Sequence, residues 1–235
     1  MAEQKPIKLG ESMLDLVTRA ERFARLRHAD QFRKGKAKEP YTVHLEEVAS
    51  LVKNWCGSDE TIAAAWLHDT VEDCPPTSIE ELKLQFGTKV AGYVEELTDD
   101  KSLEKEKRKL LQISNASKKT PEAALIKLAD KSSNVLSIAN SPPLGWSLQR
   151  RLEYIKWART VVGELPRVIS LAYNEFENRC DIAELQSYIE LGSLRQAQNA
   201  SLTIMERKAM RAGASQEQTD KFLRNLLQDS FKIDK

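Results

Sequence analysis

Apolar residues recur along this chain at helical spacing, and no run of alternating β-branched residues argues for a strand. Ile62-Ala63-Ala64-Ala65-Trp66-Leu67 and Leu125-Ile126-Lys127-Leu128-Ala129 are the densest apolar runs. The pattern predicts helices near 11–28, 43–55, 59–73, 78–84, 87–99, 103–117, 121–140, 146–163 and 167–191. Local punctuation agrees. Ser58-Asp59-Glu60 and Thr77-Ser78 can open helices, with Glu80 and Glu81 in the first turn of the second. Pro121 follows Thr120 at a first helical position, Cys74-Pro75-Pro76 stops one helix, and Ser141-Pro142-Pro143 separates two others. Beyond about residue 192 Gln, Asn, Ala and Ser become frequent, and Gly213 breaks the pattern. A last amphipathic helix over 215–231 places Phe222, Leu223, Leu226 and Leu227 on one face. The expected architecture is therefore an all-α bundle of about ten helices. Its main domain spans 1–191, and a helical C-terminal extension over 192–235 packs on that domain or on a partner.

Composition narrows the setting. With 235 residues, 41% hydrophobic, 30% charged and a net charge of +1, the chain reads as an ordinary globular protein. The balanced charge gives no footprint for general nucleic-acid binding. Three scattered cysteines, Cys56, Cys74 and Cys180, form neither a disulfide framework nor a CxxC zinc pattern, so a reducing cytoplasm is the simplest compartment. Met1 to Pro6 lacks the apolar core of a signal peptide, and no apolar run approaches bilayer length.

The chemistry concentrates at His68-Asp69-Thr70-Val71-Glu72-Asp73. On one continuous helix His68 and Glu72 would stack at i,i+4, as would Asp69 and Asp73. Three carboxylates near a helix C-terminus oppose the macrodipole, which a bound cation would offset. Histidine with carboxylate suits manganese, iron or zinc. Of the other histidines, His44 opens the preceding helix, and His28 reads as a structural neighbour rather than a ligand. Asp130 ends an apolar run, where a lone buried carboxylate would be costly. Asn134 and Ser137 keep its face polar for two further turns. Taken singly, each residue has a plainer reading: His44 as a packing residue, Asp130 paired with Lys127 or Lys131, Glu72 and Asp73 on the surface. Their combination favours a metal.

The order His44, His68-Asp69, Asp130 resembles the signature of the HD-domain metal phosphohydrolases. The surrounding text is more specific. His28-Ala29-Asp30-Gln31-Phe32-Arg33-Lys34, Pro40-Tyr41-Thr42-Val43-His44 and His68 to Asp73 resemble the hydrolase domain of the Rel/Spo alarmone enzymes. So do Phe86-Gly87 with Val90-Ala91, Thr98 to Lys101, and Lys127 to Lys131 with Asn134. Gly145-Trp146 to Tyr154, with Trp157-Ala158, is similar to the stand-alone small alarmone hydrolases. The resemblance spans roughly residues 12–165. It departs at Lys131-Ser132-Ser133, where an Arg followed by an aromatic residue or histidine is common, and at Leu45, where proline is usual. The first departure bears on how a nucleotide is gripped.

This resemblance implies an HD-domain helical bundle that uses one divalent ion, typically Mn2+. The implied reaction removes the 3′-diphosphate of guanosine tetra- and pentaphosphate (ppGpp, pppGpp), giving pyrophosphate and GDP or GTP, without synthetase activity. The implied metal ligands are His44, His68, Asp69 and Asp130, and the implied catalytic acidic pair is Glu72 and Asp73. Substrate contacts fall on Arg33 (against the base), Lys34, Lys105, Asn134, Ser137, Arg150 and Tyr154. Repulsion within the acidic pair should raise one pKa toward that of a proton acceptor. The expected partner is a small nucleotide, with no nucleic acid and no membrane, and self-association stays open. The alternatives are another HD phosphatase, acting on NADPH at its 2′-phosphate or on deoxynucleoside monophosphates, and a non-catalytic alarmone sensor.

Overall fold

The computed structural model describes residues 15–166 and 169–221. Eleven α-helices and one 3-10 turn, Ala116–Lys118, organise these residues. They run α1 (Leu16–Arg27), α2 (Tyr41–Asn54), α3 (Asp59–Leu67), α4 (Thr70–Asp73), α5 (Ile79–Phe86), α6 (Thr88–Leu97), α7 (Lys105–Ser114), α8 (Pro121–Asn140), α9 (Leu148–Gly163), α10 (Ser170–Leu191) and α11 (Leu194–Arg211). Among the described residues there is no strand; Phe32 with Pro40 and Gly35 with Pro143 form isolated bridges. The all-α expectation holds. The anticipated caps also form: Ser58, Ser78 and Thr120 accept from the backbone N–H three residues on, and Pro121 occupies the first turn of α8.

One predicted helix is corrected. The segment 59–73 is two helices, broken at His68 and Asp69. The Thr70 hydroxyl donates to the Leu67 carbonyl at 2.7 Å, and the His68 ring meets the Ala65 carbonyl at 2.8 Å. Side chains thus take carbonyls at the end of α3. The stacking of His68 over Glu72 along one helix is lost, and His68 and Asp69 fall at a turn.

The core forms around α3, in which Thr61 through Leu67 are all buried. A helix apolar on every side belongs in an interior, and α3 packs against α1, α2, α6 and α8. Ala63, Ala64 and Ala65 are fully buried, and their small side chains let neighbouring backbones approach. The long α8 packs on α2, α9 and α10. Phe176 of α10 is among the largest fully buried side chains.

The extension begins with α11 laid on α10. Asp181, buried on α10, accepts from Arg159 of α9 (3.1 Å) and from Arg207 (2.9 Å) and Arg211 (2.5 Å) of α11. Glu177 and Glu184 share the same guanidiniums. Buried carboxylates are tolerated only when paired this fully. Residues 216–221 are helical; the apolar face anticipated at Phe222, Leu223, Leu226 and Leu227 lies outside the described residues. No helix of the described residues is long and apolar enough to cross a membrane.

Because Phe176 is fully enclosed, Phe176→Ala should cost about 3–5 kcal/mol. Urea unfolding monitored by helical circular dichroism measures this; a loss below about 1 kcal/mol would contradict the packing described.

Candidate metal centre and the adjoining cavity

Two helices and one turn between helices deliver the ligand candidates. His44 lies in the first turn of α2, His68 and Asp69 at the break between α3 and α4, and Asp130 midway along α8. His44 Nε2 is 3.6 Å from Asp69 Oδ2 and 3.5 Å from Asp130 Oδ1. His68 Nε2 is 2.9 Å from Asp69 Oδ2 and 4.0 Å from Asp130 Oδ1. The potential ligand atoms of His44, His68 and Asp130 lie within 4.8 Å of one another, and Asp69 joins through its contacts to both rings. Two ligands bound to one ion at about 2.1 Å stand roughly 3.0–3.4 Å apart, close to this spacing. On an ideal helix His68 and Asp69 would diverge by about 100°; both keep right-handed backbone angles at the break, and their side chains bend to within 2.9 Å of each other.

Of the atoms facing that point, Asp69 Oδ2 and Asp130 Oδ1 each receive a hydrogen bond, while one ring nitrogen has none. His68 Nε2 is buried without a hydrogen-bond partner, since Asp69 Oδ2 is near but out of line. The other nitrogen of each ring is engaged: His68 Nδ1 with the Ala65 carbonyl, and His44 Nδ1 with Ser133 Oγ at 2.8 Å. A ring held by Nδ1 with Nε2 free is the arrangement of a metal ligand. Tyr41 donates to Asp69 Oδ2 at 2.7 Å. Asp130 turns Oδ2 toward Lys131 (3.2 Å) and Lys127 (3.9 Å) and receives Asn134 Nδ2 on Oδ1 at 2.5 Å. So the lysine pairing of Asp130 and its approach to the histidines occur together, on different oxygens.

The local field follows. Burial disfavours charge on every member of this group. It wins at His44, whose pKa is lowered. At His68 it is overcome by Asp69, and the pKa is raised. At Asp69 burial is overcome by His68 and His44, and at Asp130 by Lys131 and Lys127 before the histidines, so both acids are held below the carboxylate range. Two ionised carboxylates therefore face two imidazoles in a buried place, a donor set that suits a divalent cation.

The acidic pair separates. Glu72 lines the cavity beside the centre, and its Oε2 accepts the Asp99 N–H at 3.2 Å. Its pKa is raised, first by burial and then by Asp69, with Asp73 a lesser contributor. The expected cause, repulsion within the pair, is corrected to burial. Asp73 is absent from the cavity lining and is bound to Lys101, which also stands 3.8 Å from Glu72. Among residues flanking the centre, His28 is fully buried, bonded to Gln31 and stacked on Tyr41 at 5.1 Å.

Next to the centre opens a cavity of about 910 Å³. Arg33, Lys34, Lys105, Asn134, Ser137, Arg150 and Tyr154 all line it, so every anticipated substrate contact reaches one space. Arg33 does so in a fixed pose, donating to Asn134 Oδ1 at 3.1 Å and Ser133 Oγ at 3.3 Å. Its loop is pinned. Ala37 N–H donates to Ser141 Oγ at 3.0 Å, and a Cβ added to Gly35 would stand 2.3 Å from the Ser141 carbonyl oxygen. The cavity is also lined by Arg108, Lys109, Lys131, Trp146 and Trp157, none of them among the anticipated substrate contacts. Periodicity could have found several. Lys105, Arg108, Lys109 and Gln112 follow i, i+3, i+4, i+7 on α7, and Arg150, Tyr154 and Trp157 follow i, i+4, i+7 on α9. Lys131 and Lys109 sit over the Trp157 ring at 4.6 and 5.6 Å and Arg150 over Trp146 at 4.7 Å, so aromatic faces hold three of the cations.

An HD-domain family profile matches residues 20–153. The chain belongs to the HD-domain family. It is 44% identical over 145 residues to the guanosine-3′,5′-bis(diphosphate) 3′-pyrophosphohydrolase MESH1 of Drosophila melanogaster, covering 61% of this chain and 80% of that protein. To the enzyme of the same name from Homo sapiens it is 41% identical over 156 residues, covering 66% and 86%. Among solved structures, a metazoan ortholog of SpoT that hydrolyses ppGpp and plays a role in starvation responses aligns with TM-score 0.67 and 35% identity, covering 75% of this chain and 96% of that one. HD-domain hydrolases depend on a divalent metal, and the His44, His68 and Asp130 cluster is fitted to one.

Binding to the folded state alone raises stability, by about 2.7 kcal/mol at a hundredfold excess over Kd. Added divalent cation should therefore raise Tm and a chelator reverse the rise. His68→Ala should abolish the response; an unchanged response in that variant would exclude this centre.

Proposed function

We propose that this protein hydrolyses guanosine 3′,5′-bis(diphosphate) and its pentaphosphate counterpart at the 3′ position, releasing pyrophosphate and GDP or GTP. The observation that carries the reading is the junction of a His/Asp metal centre with a cavity lined by seven basic side chains: Arg33, Lys34, Lys105, Arg108, Lys109, Lys131 and Arg150. Such a space suits a ligand with several phosphates. The relatives carrying the name of this activity, at 41–44% identity across most of their length, support the same substrate.

In this mechanism His44, His68, Asp69 and Asp130 hold one divalent ion, Mn2+ in our assignment. When bound, the ion supplies Lewis acidity to a water and to a phosphoryl oxygen. Glu72 stands beside the centre with a raised pKa and accepts the proton of the attacking water. The water oxygen forms a bond to the phosphorus on the ribose 3′ oxygen. The bond from that phosphorus to the 3′ oxygen breaks, and the proton held by Glu72 passes to the leaving oxygen, giving the ribose hydroxyl and restoring the carboxylate. Asp73 acts as the partner of Glu72 across Lys101, whose charge faces both. Arg33, fixed by Asn134 and Ser133, presents a guanidinium for the purine, which a lysine could not stack on. Asn134 and Ser137 line the nucleoside end, while Lys34, Lys105, Arg150 and Tyr154 meet phosphates. Residues 1–191 form the phosphohydrolase unit and 192–235 an extension; the cytoplasm, where nucleotide substrates are at hand, is its setting.

Asp69→Ala should abolish divalent-ion-dependent pyrophosphate release while leaving helicity near that of the parent. Glu72→Gln should retain ion binding and lose turnover by 10²-fold or more. Anion-exchange analysis of products from ppGpp, pppGpp, the adenosine analogues and NADPH, each with Mn2+, checks both. A Glu72→Gln enzyme as fast as its parent would remove Glu72 from the reaction. Faster release of phosphate from NADPH than of pyrophosphate from ppGpp would reassign the substrate.

A further inference from the structure

The buried hydroxyl of Ser133 joins the metal centre, the substrate cavity and α10. We propose that Ser133 and Glu47 are positioning residues: together they fix the orientation and tautomer of His44, and Ser133 also anchors Arg33. This rests on His44 being a ligand, as argued above.

The hydrogen-bond inventory leaves little freedom. A serine hydroxyl has one proton to give and two lone pairs to receive. Ser133 Oγ has three partners: Glu47 Oε2 at 2.6 Å, His44 Nδ1 at 2.8 Å and Arg33 Nη1 at 3.3 Å. A carboxylate only accepts, so the proton of Ser133 goes to Glu47. Arg33 only donates. His44 Nδ1 must then carry a hydrogen and donate it to Ser133, which leaves Nε2 with its lone pair directed at Asp69 and Asp130. Every valence of Ser133 is used, and the tautomer of His44 follows from Glu47 being an obligate acceptor.

Glu47 is itself held. Arg179 of α10 donates to Glu47 Oε1 at 2.5 Å and to Glu175 Oε1 at 3.0 Å, and Glu175 accepts Trp55 Nε1 at 2.9 Å. The relay thus runs from α10 through α2 and α8 to the ligand. Its spacing is simple: Glu47 is three residues after His44 on α2, and Ser133 three residues after Asp130 on α8. Each helix therefore presents one ligand and one supporting residue on the same face. The neighbouring Ser132 shows what a serine there does otherwise. It donates to the Leu128 carbonyl of its own helix at 2.8 Å, an ordinary intrahelical bond. Arg179 also lies outside the 20–153 match to the HD-domain family, so α10 supports the centre from beyond that segment.

Outer partners of this kind typically govern metal affinity by 10–100-fold. The test is the affinity of the full chain for Mn2+ alone, followed by electron paramagnetic resonance of the free ion. Ser133→Ala and Glu47→Ala should each weaken binding about 10–100-fold, while Ser132→Ala stays within twofold of the parent. Thermal melting without metal shows that the variants are folded. The kinetics should also split: Ser133→Ala raises KM for ppGpp at saturating Mn2+ because Arg33 loses its anchor, whereas Glu47→Ala leaves that KM near the parent value. If Ser133→Ala and Glu47→Ala, folded, bind Mn2+ as tightly as a parent that binds it, the relay is wrong and the centre stands. A parent that binds no Mn2+ overturns the centre and the relay together.

Discussion

The arrangement depends on two aspartates, Asp130 buried and Asp69 partly so, being held as anions against two imidazoles at one point. Removing such charges from water is costly, and pairing must repay it. Each feature around the point serves that need. Lys127 and Lys131 take the outer oxygen of Asp130, and Tyr41 donates to Asp69. Both rings have Nδ1 tied down and Nε2 turned inward. What still lacks a partner there is His68 Nε2, the kind of vacant valence a cation fills.

The bundle exists in a form that allows this convergence. The alanine run of α3 lets α1, α2, α6 and α8 close around it, so the ends of separate helices come within a few ångströms. At the end of α3 the side chains of His68 and Asp69 meet at that place. The cavity beside it is built differently, from helical faces: cations of α7, the aromatic and basic face of α9, and Lys131, Asn134 and Ser137 of α8. Indole rings beneath Lys131 and Arg150 hold those charges in a confined space without removing them.

The helices beyond the family match are integrated into the domain. Phe176 of α10 lies in the hydrophobic core, and Arg179 meets Glu47. The arginines of α11 in turn neutralise Asp181 and Glu184 of α10. Ion pairs therefore join α11 to α10, the helix whose Arg179 meets Glu47.

Much of this was legible in the order of residues. Helical periodicity, capping serines and prolines specify local structure, because they act within a turn or two of chain. Residue chemistry at His44, His68-Asp69 and Asp130, with the surrounding motifs, carried the family and the substrate class. The sequence could not decide what depends on distant segments meeting. It misjudged 59–73 as one helix, because carbonyl capture by Thr70 and His68 wins over propensity only in the packed state. It assigned the raised pKa to repulsion between Glu72 and Asp73, whereas burial and then Asp69 raise Glu72. Nor could it join Ser133 to Glu47, 86 positions apart. Local sequence fixes what each helix can be; which polar atoms face one another is settled only by long-range packing, where each buried donor and acceptor must find its partner.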